Sequence, residues 1–230
     1  MSGLTRSRRW ALLLNYLVGY TFLYPLLAGM LSVTVYELSG MDIRSWLSGL
    51  IYLFVLISSL MLAWPLIQRD GRKFLARPRA IVQDSAKRYV VMYFSMLVLN
   101  VLIILLSGQT SSQNQETIVS ELIRSPLQIV LVTCVFAPIV EELVFRGVLF
   151  TSLRQRAGYR IAALVSGLLF GLLHVYSSLF AGNWMDLCFL VVYGAMGAQL
   201  CLAYEHNETL FSPILMHAFN NLISVILILV

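Results

Sequence analysis

Glu141 and Glu142 stand side by side, with Arg146 four positions beyond, inside a run otherwise apolar enough to cross a membrane. On insertion scales an ionised residue at mid-span costs roughly 2.5–3.5 kcal/mol, so three facing lipid would cost on the order of 8 kcal/mol. That rivals the stability of an ordinary domain, and it marks the cluster as a candidate site. Later apolar runs carry His174, then His217 with Asn221 four positions on. Helical spacing sorts these groups onto faces. Glu142 and Arg146 are i, i+4 and can pair, while Glu141 points about 100° away and stays available. His217 and Asn221 share one stripe of their helix. Such a set can activate water. A carboxylate in a low-dielectric pocket is a competent general base, and an imidazole can hold the attacking water. A histidine–asparagine pair can donate to a developing oxyanion. Peptide hydrolysis needs little else. The signatures Gly-x-Ser-x-Gly and His-Glu-x-x-His are absent, and no cysteine stands in a Cys–His arrangement.

The elements that must position these groups are membrane helices. The chain has 230 residues, 59% hydrophobic and 12% charged, with a mean hydropathy of +0.83. A soluble domain carries about 25% charged residues. Seven apolar stretches lie near 10–36, 46–67, 88–107, 127–152, 160–181, 184–204 and 210–230. The expected fold is all-α: a polytopic membrane helix bundle of about seven transmembrane helices, with a C-terminal four-helix catalytic core. A polar break at 108–116 separates residues 1–125, three spans and their loops, from the core at 126–230. Between break and core, 117–124 reads as a short amphipathic piece on the membrane surface. Cys134, Cys188 and Cys201 read as small reduced core residues, and His206 reads as an ordinary loop residue.

Positive charge orients the bundle. Of 16 Lys and Arg, 13 fall before span one, in the expected loop between spans two and three, and between spans four and five. The positive-inside rule then places the N-terminus in the cytoplasm of a plasma-membrane protein, and the C-terminus outside. The basic balance follows from topology and implies no nucleic-acid partner. A rise of about 1.5 Å per residue brings Glu141, His174, His217 and Asn221 to similar depths near the middle of the bilayer. Local features are expected to support them. Pro138 should free the carbonyl of Cys134 and kink span four. Ser212-Pro213 should start the last helix as cap and first residue. Gly167 and Gly171, with Gly194 and Gly197, should let spans five and six pack closely. Phe170 reads as core.

Taken in order, Glu141-Glu142-x-x-x-Arg146, Phe170-x-x-x-His174 and His217-x-x-x-Asn221 resemble the three motifs of the CPBP family, the CAAX proteases and bacteriocin-processing (ABI) proteins, which include prenyl-protein endopeptidases. The resemblance covers roughly 126–230, with no motif position departing from the pattern. It implies an α-helical intramembrane endopeptidase. Glu141 would activate water with His174 assisting, His217 and Asn221 would line the oxyanion site, and Glu142 and Arg146 would order the pocket. No cofactor is expected, with zinc on Glu141, His174 and His217 as the alternative. Asn221 suits an oxyanion better than a metal. The expected partner is a peptide or protein tail in the bilayer, cleaved near its cytoplasmic half: a prenylated tail, or a bacteriocin or pheromone precursor. A short chain without eukaryotic retention signals favours bacterial peptide processing or self-immunity. The alternatives are a non-catalytic scaffold or immunity protein of the same fold, and a transporter. The transporter would place ionisable groups in both halves, and spans one to three hold none in their interiors. Oligomeric state is not legible.

Overall fold

A computed structural model describes residues 3–229. Among them every regular element is helical. Span one is α1, Arg6–Ser39. Span two is α2, Arg44–Ala76, and span three is α3, Pro78–Ser107. The amphipathic piece is α4, Gln113–Arg124, capped by the Ser112 hydroxyl, which accepts from the Gln115 amide. It begins four residues earlier than expected. Residues 126–180 form one long helical run, broken where Gly158 adopts φ 77° and ψ 167°. Only glycine takes that conformation readily, so the run divides into α5 (126–157) and α6 (159–180). The bundle closes with α7, Trp184–Asn207, and α8, Phe211–Leu229. Among the described residues six helical runs are long and apolar enough to cross a membrane, the Gly158 break divides the longest of them, and the chain is a multi-pass membrane helix bundle, as expected.

The basic segment between α2 and α3 is not a loop. Both helices continue through it and meet at Arg77 (φ −148°), directly before Pro78. Proline disfavours helical geometry in the residue before it, so the turn falls there. Its charges find partners on the neighbouring α7–α8 corner. Lys73 pairs with Glu208 at 3.1 Å, and Arg77 donates to the Asn207 carbonyl at 3.2 Å.

The glycines of α6 and α7 let two backbones touch. A Cβ on Gly167 would lie 2.6 Å from the Gly194 carbonyl oxygen, and one on Gly171 2.8 Å from that of Leu190. Around this pair α5 and α8 complete a core in which Phe136, Val144, Phe170, Met196 and Met216 are buried together. The N-terminal helices wrap its outside. Half of the most apolar window of α7 is buried against 6% of that of α3.

Two local expectations fail. Ser212 does not cap α8. Its hydroxyl pairs with Ser85 at 2.7 Å and accepts from Asn207 at 2.9 Å. The cap comes from α2, where Asp70, fully buried, accepts the Leu210 amide at 3.0 Å. A carboxylate there also suits the positive end of the helix. His206 is not in a loop either; it lies in the last turn of α7, 3.5 Å from Asp84.

Candidate active site

Three stretches of widened, π-type helical turn border the glutamates: Leu14–Leu23 in α1, and Val132–Phe136 and Phe145–Phe150 in α5. Such turns shift the faces that side chains present and recur at functional sites. The proline effect changes accordingly. In the α register Pro138 would orphan Cys134. Here the Ala137 amide bonds back to Val132, five residues away, so the next bond in that register would join residue 138 to Thr133. Proline has no N–H to give. The orphaned Thr133 carbonyl is instead satisfied by Asn221, whose Nδ2 donates to it at 2.7 Å. The motif asparagine thus holds a broken helix together, with one amide hydrogen already used.

Glu142 and Arg146 pair as their spacing predicts, at 2.8 Å with neither side chain exposed. Arg146 Nη2 also donates to the Gly197 carbonyl at 2.8 Å, and its guanidinium lies 4.7 Å from the centre of the Phe170 ring. Phe170 is core, as read, and it forms the floor on which Arg146 and the two site imidazoles rest. His217 lies between the carboxylates. Its Nδ1 is 2.9 Å from Glu142 Oε1, and its Nε2 is 3.9 Å from Glu141 Oε2. His174 donates Nδ1–H to the Phe170 carbonyl at 2.9 Å, because that oxygen can only accept. With Nδ1 so engaged, Nε2 is the ring nitrogen left for other partners. Its ring stacks on Tyr193, 4.6 Å away.

Glu141 is 7% exposed and faces space. Two clefts, of about 570 and about 490 Å³, share Glu141 and His174 in their walls. One runs along α1 and α2 toward Ser48 and Arg44; the other passes His217 and Asn221 toward Gln115 and Ser224. Both extend toward the bundle end that carries residues 44–48 and 110–115, away from the α2–α3 corner. At the other end the basic α2–α3 corner packs onto the start of α8.

Sequence reasoning missed Tyr16. From α1 its hydroxyl donates to Glu141 Oε1 at 2.8 Å. A tyrosine in an apolar helix has no spacing signal, and 125 residues separate the pair. Similar bonds join the two halves elsewhere, as from Gln128 to Ser48, so the boundary at 125 divides the motifs and not the packing. Among the described residues no three His, Cys, Asp or Glu side chains are gathered to hold a metal.

Fold and site together define a membrane helix bundle with a buried carboxylate–imidazole centre. Residues 123–223 match the family described as Type II CAAX prenyl endopeptidase Rce1-like, a match that spans all three motifs. The chain is 30% identical over 116 residues to "Putative membrane peptidase YdiL" of Bacillus subtilis, covering 50% of this chain and 43% of the relative. It is 33% identical over 138 residues to "Membrane-embedded CAAX protease MroQ" of Staphylococcus aureus, covering 57% of this chain and 51% of the relative. The chain thus spans about half the length of the curated relatives it matches. No solved structure matches it.

Proposed function

We propose that the protein is an intramembrane endopeptidase that hydrolyses a peptide bond with water activated by Glu141. One observation carries the reading. Glu141 Oε2 has no hydrogen-bond partner among the described residues, yet it faces His217 Nε2 across 3.9 Å beside both clefts. That oxygen is buried as the bundle stands, and a small widening of the gap admits the attacking water so that it touches both groups. His174 Nε2 orients that water. His217 binds Glu142 through Nδ1 and turns Nε2 toward the site, where it stabilises the oxyanion. Glu142 and Arg146 hold that ring in place.

The water oxygen attacks the peptide carbonyl carbon while its proton passes to Glu141 Oε2. The tetrahedral oxyanion is stabilised at His217 Nε2 and, more weakly, by the amide hydrogen Asn221 has left. Glu141 then returns the proton to the leaving nitrogen as the C–N bond breaks. Substrates are peptides or protein tails in the bilayer, and the two bacterial relatives favour peptide processing over a scaffold role. Under the positive-inside orientation the clefts admit the substrate from the non-cytoplasmic side. The zinc alternative enters through Glu141, His174 and His217, and no step is derived through it.

The test compares peptide and membrane-protein termini in cells carrying wild-type or Glu141→Gln protein. The proposal expects termini found only with wild type, and purified activity that survives chelation. Identical termini in both strains would refute it. Activity lost on chelation and restored by zinc would transfer the mechanism to the metal.

A further inference from the structure

We propose that Tyr16 is a positioning residue for this reaction, holding Glu141 Oε1 so that Oε2 alone faces the attacking water. The inference rests on the reading of Glu141 as the base. Its residue lies in α1, outside the 123–223 segment matched by the family.

The geometry separates the two oxygens of Glu141. Oε1 accepts the Tyr16 hydroxyl at 2.8 Å, whereas Oε2 has no such partner among the described residues. Terminal carboxylate torsions are broad and nearly two-fold, so nothing in the side chain itself chooses between the oxygens. A donor fixed at one of them does, because a flip would break a charge-assisted hydrogen bond in a site with little water to replace it. Tyr16 is itself fixed. Its ring is 2% exposed and stacks on Tyr20 with centroids 5.2 Å apart and planes 14° from parallel. Tyr20 in turn packs 5.2 Å from Phe136, in the widened turn just before Pro138. The hydroxyl therefore comes from the same aromatic wall that abuts the helix carrying Glu141. Misplacing a reacting group by about 1 Å can cost on the order of 100-fold in rate.

The test uses the full chain in liposomes, with a fluorogenic peptide spanning a terminus that wild type produces and Glu141→Gln does not. Tyr16→Phe keeps the ring and its stacking and removes only the hydroxyl. We expect kcat to fall about 10- to 100-fold with KM within about twofold, while the lost buried hydrogen bond lowers the melting temperature by about 2–12 °C and leaves the protein folded at the assay temperature. Glu141→Asp draws the carboxylate back by one methylene, out of reach of the hydroxyl. In that background Tyr16→Phe should cost less than twofold more, a non-additivity that a packing role would not produce. Wild-type kcat in Tyr16→Phe, or losses that multiply in the double variant, would overturn the inference while Glu141→Gln stays dead. A Glu141→Gln protein that cleaves like wild type would overturn the underlying reading, and the inference with it.

Discussion

Removing the guanidinium of Arg146 should destabilise the whole bundle. That side chain is fully buried and makes three contacts at once: Glu142 at 2.8 Å, the Gly197 carbonyl at 2.8 Å and the Phe170 face at 4.7 Å. In Arg146→Ala the Glu142 carboxylate keeps only His217 Nδ1. Breaking a buried ion pair from one side costs about 3–5 kcal/mol. An orphaned carbonyl costs about 1–3 kcal/mol, and a desolvated cation–π contact is worth about 2 kcal/mol. These overlap, so a net loss of about 4–6 kcal/mol is expected. For a chain of this length each kcal/mol moves the melting temperature by about 2–4 °C, which makes the expected drop at least about 8 °C. Arg146→Lys keeps the charge but not the fork that reaches two helices, so it should fall in between. Glu142→Leu with Arg146→Met removes both charges and should recover much of the loss, while activity stays absent because His217 has lost its anchor. Unfolding in detergent followed by tryptophan fluorescence reads all four proteins. An Arg146→Ala variant melting within about 2 °C of wild type would refute the reasoning, as would a double variant less stable than the single one.

Asn221→Ala strips the partner from the Thr133 carbonyl and should cost about 1–3 kcal/mol in the same unfolding assay. Pro138→Ala supplies the missing backbone N–H, so in that background Asn221→Ala should cost less than half as much. Equal costs in both backgrounds would contradict the structural role of Asn221. Orientation is read with single cysteines in a cysteine-free chain. A membrane-impermeant maleimide added to intact cells should label Thr110→Cys, near the mouth of the clefts, and leave Arg156→Cys unlabelled until the cells are opened.

Relationships within one helix, or along the chain as a whole, were legible in the residues themselves. The apolar spans follow from hydropathy, and the Glu142–Arg146 pair follows from a four-residue spacing on an α-helix. The close contact of α6 with α7 follows from glycines a turn apart, whose missing side chains can only matter against a neighbour. The three motifs lie within 141–221 because each is a short pattern on a single helix. Other features depended on how helices meet, which no period encodes. Asp70 caps α8 from 140 residues away, and Ser212, the apparent cap, turns to Ser85 instead. His217 is clamped between two carboxylates because α5 and α8 cross at that level. The widened turns of α5 carried the proline-orphaned carbonyl from Cys134 to Thr133, and so gave Asn221 a partner. Tyr16 reaches Glu141 only because α1 lies against the core. Helical periodicity specifies neighbours within about one turn, whereas contacts between distant helices arise from packing, and there the sequence alone is silent.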